Sequence, residues 1–443
     1  TFTNEVSPYI LNGIENPATT TLAPANTPLY KTSFGDFAPR VGVAYQLSPD
    51  GSTVIRGGFG VFYDLPNSFV GNLLTSDVQP YGGYAFGGGN IAAPFFTSFP
   101  APADLSPFRG ATVYAPDFKT PYSLQYNVAL EHSIGSRDVV TATYVGSRGR
   151  DLERVESRQV PGGLGALPNF TRLDIIRSLA SSDYNALQLQ YRRRLSSGFQ
   201  ALVSYSLSKS IDDGPATDTS LYAPLAPAAV YDPRQDRGPS DFDARHVFSA
   251  AISYEIPSPF KRGIGRVVFG GFALDSIYRV RSATPVNVVT GGDPFGFGLV
   301  AVYRPNFVPG VPFYLEGDQY PGGRRINPAA FTDPIDRQGN LGRNALRGFP
   351  VSQLDMSLRR QFKLTERVNL QAKIDAFNIF NRPNFANPVS NVYSGFSANL
   401  NDPNFGIATQ MLGRGFASTN NGVSPLYQLG GPRSLQLSLK LNF

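Results

Sequence analysis

The chain has 443 residues, of which 41% are hydrophobic and only 16% charged, with a formal net charge of +6. Zero Cys excludes disulfides, thiolate metal sites and a cysteine nucleophile, and two His leave almost no material for a His-based metal centre or a hydrolytic triad. The charged share is far below the ~25% of ordinary soluble proteins; yet no apolar run approaches the ~18 residues of a membrane-spanning helix, and the basic residues form no nucleic-acid arm, so no nucleic-acid partner is expected.

The chain begins at Thr1, without Met and without a basic-then-apolar leader, and reads as a processed chain or a piece of a longer one. Residues 1–36 read as an external loop or linker. Beyond them the dominant signal is strict alternation of apolar and polar residues, not a helical period. It predicts strands near 38–47, 52–64, 119–134, 137–147, 183–195, 199–211, 244–256, 266–281, 351–362, 367–381 and 432–443, about eleven in all, several far longer than the ~5–6 residues of soluble strands. The last is the clearest. Leu435, Leu437, Leu439, Leu441 and Phe443 alternate with Gln436, Ser438, Lys440 and Asn442.

The links between these strands alternate in length. Those near 48–51, 135–136, 196–198, 257–265 and 363–366 are short. Those near 65–118, 148–182, 212–243, 282–350 and 382–431 are long and rich in Gly, Pro, Asn and Asp. An antiparallel meander with this parity puts all short turns on one rim and all long loops on the other, as in outer-membrane barrels. In hydrocarbon every backbone N–H and C=O needs a partner within the protein, so a spanning sheet closes on itself, and each strand uses ~9–11 residues to cross. A soluble sandwich alternates too, but with shorter strands and loops that do not sort by parity; a propeller would show a repeat that this chain lacks. The fold class expected is therefore all-β, a transmembrane antiparallel β-barrel in the bacterial outer membrane with outer-membrane lipid as a partner. Eleven is odd, whereas such barrels have even counts. An open half-barrel with free first and last strands is expected ahead of a closure that recruits Pro285–Thr290 or the first thirty residues.

Few residues suggest chemistry. Asp212, Asp213 and Asp218 form an acidic loop whose spacing matches no calcium loop, so no metal site is assigned. His132 and His246 fall on opposite rims, which separates any catalytic pair; no catalytic residue and no cofactor is assigned. The glycine clusters at Gly82–Gly83 and Gly87–Gly89 lack the strand-to-helix setting of a phosphate loop. They read as external loop, with Tyr81, Tyr84 and Phe86 as candidate ligand contacts. Arg193 and Arg360 share register with lipid-facing neighbours close to short turns, where the long side chain snorkels to the headgroups. Glu131, Asp275, Arg279, Asp355, Arg359, Lys373 and Asp375 fall on the polar faces, where cross-strand or plug pairing is expected ahead of substrate guidance.

Several stretches carry a family resemblance: PRVGVAYQL (39–47), IRGGFGVFYD (55–64), RGPSDFDARHVFSAAISYEIP (237–257) and LQAKIDAFNIFNRPNF (370–385). They resemble TonB-dependent outer-membrane receptors, in particular the Oar-like group. The final Phe443 with apolar residues at every second position before it is similar to the signal read by the barrel-assembly machinery. In that family a plug and a TonB-contacting box precede a 22-stranded barrel. About half that number is counted here, and neither plug nor box is seen, so residues 37–443 look like the C-terminal portion of such a barrel. The resemblance implies an importing receptor that captures an unidentified ligand with its external loops. It implies energy from a TonB-type partner acting through a plug absent from this chain. A passive porin or secretion channel, a surface adhesin or assembly barrel, and a barrel enzyme of the outer membrane are the alternatives, the last disfavoured by the two His.

Overall fold

The computed structural model describes residues 33–64, 108–159, 170–213, 233–290, 303–335, 338–365, 367–390, 400–415 and 430–443, together with four two-residue strands at 11–12, 21–22, 393–394 and 397–398. Eleven strands form one antiparallel meander: β1 (Arg40–Gln46), β2 (Thr53–Tyr63), β3 (Tyr122–Ile134), β4 (Asp138–Gln159), β5 (Phe170–Ser196), β6 (Phe199–Asp212), β7 (His246–Glu255), β8 (Phe272–Arg281), β9 (Val351–Lys363), β10 (Asn369–Phe377) and β11 (Ser434–Asn442). Each pairs with its neighbours in the sequence, and among the described residues no ladder joins β1 to β11. The sheet is open, as the odd strand count predicts.

The register fixes the two faces. Paired residues share a face, so one row runs Tyr45–Ile55–Leu130–Ala142–Leu189–Tyr205–Phe248–Val280 across β1 to β8. A second runs Tyr254–Leu274–Leu358–Ile374–Leu437 across β7 to β11. One residue away, the opposite face carries Glu131–Thr141–Gln190–Ser204–Ser249–Arg279–Gln353. A slip by one residue would exchange these sets everywhere, so a hydrocarbon environment on one side specifies the register strongly. Leu435, Leu437, Leu439, Leu441 and Phe443 are all exposed to a water-sized probe, Phe443 at 97%. That is the exposure required of a face that meets lipid, and in water such a belt would be a liability.

The tight turns are locally encoded. Ser197 (φ 51°) and Gly198 (φ 78°) form a two-residue link of the mirror-image type, which matches the strand twist. Gly198 has no room for a side chain, since a Cβ would sit 2.8 Å from the Glu255 carbonyl oxygen. Charges on the polar face pair across β8 and β9, with Arg359 Nε on Asp275 at 2.8 Å and Arg279 on Asp355 at 3.4 Å, and along β10, with Lys373 on Asp375 at 2.7 Å.

Four sequence expectations change. Residues 148–182 are mostly ladder and not loop, because β4 and β5 run on to Gln159 and back from Phe170. Beyond the hydrocarbon no lipid face is left to impose alternation, so its loss does not mean the strand has ended. Phe108–Tyr114 adds a parallel partner to β5, in a stretch read as loop. The segment 266–281 starts as a helix, Gly263–Phe269, and becomes strand at Phe272, after Gly270 and a Gly271 at φ 76°. β10 ends at Phe377, since Asn378 (φ 48°) and Asn381 (φ 49°) turn the chain. Pro285–Val286, named as a possible extra barrel strand, pairs instead with Leu346–Arg347 in a separate two-stranded ladder.

Candidate functional site

The long-link rim is where the chain builds a site. The β6–β7 link returns through a short 3-10 turn, Pro233–Asp236, and Gly238–Pro239 pairs with the end of β6. The chain passes so close to the β8–β9 link that a Cβ on Gly238 would lie 2.5 Å from the Arg343 carbonyl oxygen. This path lines up Asp212, Asp236, Asp241 and Asp243 along the rim, and arginines from three other segments meet them.

Asp236 is shared by two arginines. Arg154 of β4 donates from Nη2 to Oδ2 at 2.5 Å, and Arg304 donates from Nη1 to Oδ1 at 2.7 Å. Arg304 is among the most deeply buried side chains of the molecule. Its remaining donors reach the carbonyls of Leu341 and Gln235, each at 2.9 Å, while Arg154 Nη1 reaches the Asp213 carbonyl at 2.7 Å. Arg343, also buried, donates to the Asp212 carboxylate and, at 3.0 Å, to its carbonyl. Asn344, held at φ 55°, donates to the Pro239 carbonyl at 2.7 Å and to Asp241. Arg347 Nη2 meets Asp243 at 2.8 Å. Buried ions are tolerated only when paired and hydrogen-bonded, and here the planar guanidinium forks supply both.

Next to this network the loops enclose a dry core of their own: Val286, Val288, Ile326, Ala330, Phe331, Leu341, Leu346, Leu400 and Phe405. Phe313 stacks on Phe331 at 5.7 Å, and Arg324 lies over the Tyr314 ring at 4.3 Å. Tyr314 Oη donates to the Arg347 carbonyl and accepts from its N–H, at 2.7 and 2.8 Å. The described parts of the β8–β9 and β10–β11 links thus form a cap with a packed core.

The structure places the sequence candidates as follows. Asp212 is not a solvated loop acid but the buried partner of Arg343; Asp213 accepts from Ser181 N–H and Ser181 Oγ at 2.5 and 2.8 Å. Asp218, the glycine clusters and Tyr81, Tyr84 and Phe86 lie outside the described residues. His132 Nδ1 bonds Thr53 Oγ1 at 2.9 Å at the short-turn rim, and His246 Nδ1 bonds Tyr205 Oη at 2.8 Å at the long-link rim. The two rings are therefore not brought together. Arg193 pairs with Asp138 at 3.3 Å, and Arg360 is sandwiched between Phe272 and Phe362 at 4.7 and 4.4 Å. Sequence reasoning missed Arg154, Asp236, Arg304 and Arg343 altogether. The available signal was the recurrence of Arg and Asp in links otherwise built from Gly, Pro and Asn. Among the described residues no group of three or more His, Asp or Glu converges to hold a metal ion.

Comparison with known proteins adds the family. No curated protein matches the chain by sequence. Among solved structures, the outer membrane transporter YddB of Escherichia coli aligns at 12% identity and TM-score 0.49, covering 82% of this chain and 38% of that one. A mutant of the ferric enterobactin receptor PfeA of Pseudomonas aeruginosa aligns at 10% identity and TM-score 0.45, covering 91% and 40%. The pyoverdine outer membrane receptor FpvA of the same organism, bound to pyoverdine, aligns at 11% identity and TM-score 0.43, covering 92% and 36%. The chain therefore spans less than half the length of each of these proteins. A family model described as an outer membrane beta barrel domain matches residues 3–421. The alternating faces, the sorted rims and this match together identify the chain as a member of the outer membrane beta-barrel domain family, located in the bacterial outer membrane.

Proposed function

We propose that the chain is the C-terminal portion of an importing receptor of the outer membrane, with residues 1–36 an external loop or linker and 37–443 the barrel wall and its cap. The observation that carries the reading is the cap itself. Described parts of two long links share a buried apolar core, and the β8–β9 link is pinned to the rim by buried arginine–aspartate contacts. A pore that merely admits solutes needs no such outlay of buried charge, whereas a capture surface needs rigid support for the segments that touch the ligand. Tyr81, Tyr84 and Phe86 are the proposed contacts, as aromatic side chains in the longest outer links. The resemblance to TonB-dependent receptors of the Oar-like group supplies the rest: energy from a TonB-type protein through a plug carried elsewhere, and assembly directed by Phe443, which projects free of the sheet.

The test is uptake. Cells producing the whole protein are screened for solutes whose entry depends on its gene, then treated with an uncoupler of the inner-membrane proton gradient. The receptor reading expects gene-dependent uptake to stop. Uptake that continues unchanged makes the protein a passive porin, and gene-dependent adhesion without uptake makes it a surface binder.

A further inference from the structure

The link between β7 and β8, residues 256–271, is unlike the others on the short-turn rim. It contains the helix Gly263–Phe269, and no residue of that helix is buried. Ile264, Val267 and Val268 recur at i, i+3 and i+4, which sets them on one helical stripe. Ile264 is 82% exposed and Val267 71%. Phe260 and Phe269 flank the stripe, with ring centroids 5.6 Å apart, and Gly265 lets the Phe260 ring close on the helix. The same link carries Lys261, Arg262 and Arg266 and contains no Asp or Glu.

One contact fixes the side of the sheet on which the helix lies. Arg360 donates to the Val267 carbonyl, and Arg360 shares its face with Leu358 and Phe362, the lipid-facing set of β9. The stripe therefore continues the apolar belt past its edge at Tyr254, Ile256 and Leu364, all exposed. Short turns of outer-membrane barrels face the periplasm. An apolar stripe beside three cations in a link without acids, at the level where the belt ends, has the chemistry of a helix lying in a headgroup layer.

We propose that Gly263–Phe269 is an interfacial anchor that inserts Ile264, Val267 and Val268 into the periplasmic leaflet, while Lys261, Arg262 and Arg266 bind anionic phospholipid headgroups. The chain has no Cys, so single variants I264C, V267C and K261C each accept one nitroxide label at an exposed position. The full chain is reconstituted in bilayers of phosphatidylethanolamine with phosphatidylglycerol, and collisions with oxygen and with a water-soluble nickel chelate are compared. Labels at 264 and 267 are expected to favour oxygen several-fold over the chelate, and the label at 261 the reverse. Replacing phosphatidylglycerol by phosphatidylcholine, or introducing K261A/R262A/R266A beside V267C, is expected to raise the 267 label toward water. Chelate-dominated collisions at 264 and 267 overturn the proposal. Low access to both reagents also overturns it, because a protein, either a periplasmic partner or a second copy, then covers the stripe. A 267 label equally deep with and without anionic lipid or the three cations overturns the headgroup half.

Discussion

Replacing Asp236 by Asn tests whether the cap is held by its buried charges. Asp236 faces Arg154 at 2.5 Å and Arg304 at 2.7 Å, and the two arginine side chains are each 2% exposed. An Asn side chain keeps one acceptor but turns an NH2 group toward the other guanidinium, so at least one buried cation loses its counter-charge. Breaking a buried pair in this way costs about 3–5 kcal/mol. The strand ladders do not depend on this contact, so the loss appears as local opening of the cap. At 1.4 kcal/mol per tenfold, opening becomes roughly a hundred to four thousand times more frequent. Hydrogen exchange of the D236N protein in a bilayer, read by mass spectrometry, is expected to speed up by that order across 303–347 and to stay unchanged in β7. A cap that exchanges within about threefold of the parent refutes the argument. An equal rise in β7 refutes it too, because the cap would then not open independently of the wall.

Three further outcomes follow from the same geometry. Leu437→Arg, mid-strand on the lipid face of β11, is expected to cost about 2–4 kcal/mol in a bilayer, against little for Ser438→Arg on the polar face; equal losses in denaturant titrations would mean the faces are misassigned. Gly146→Val is expected to cost about 1–3 kcal/mol, because the Tyr126 ring lies directly over Gly146 and must be displaced; an unshifted unfolding midpoint would count against that packing. In the β1–β2 turn, hydrogen bonds from Ser48 and Ser52 lower the Asp50 carboxyl from 3.8 to about 2. A lowered folded value means the turn is fully supported above pH 3.8 and loses that support as pH falls through about 2. Protection of the Ser52 amide should follow this window and should lose its pH dependence in D50N.

Much of the wall was legible because lipid enforces alternation on every residue that crosses it. The last strand shows this best, with Leu435 to Phe443 read correctly down to which side chains face out. Where lipid ends, so does legibility. Arg150, Glu153 and Arg154 break the alternation and resemble a loop, yet they sit in β4 beyond the lipid, where a polar side chain can meet water or, as Arg154 does, a buried carboxylate. The helix Gly263–Phe269 was hidden because Val267, Val268 and Phe269 are good strand formers and seven residues are too few for its period to emerge. The rim network was hidden for a different reason. Arg343 and Asp212 are 131 positions apart, and Arg154 and Asp236 are 82 apart. No local pattern reports such pairs; they become visible only when the meander brings the ends of β4 and β6 to one rim. The motif at 237–257 held part of the answer, since its Asp241 and Asp243 are two of the acids that the arginines meet.

The small core of the cap puts two opposite uses of the same side chains into one polypeptide. Ile326 is withdrawn from water altogether, while Leu437 is three-quarters uncovered by protein. The first gains from leaving water and is sensitive to denaturant; the second gains only if hydrocarbon takes water's place, and its security depends on the detergent or lipid supplied. Extraction from the membrane therefore threatens the wall before the cap. A solubilised preparation whose strands have begun to lose register can still display an intact outer surface, so recognition of that surface by an antibody or a ligand does not certify that the wall beneath it is folded.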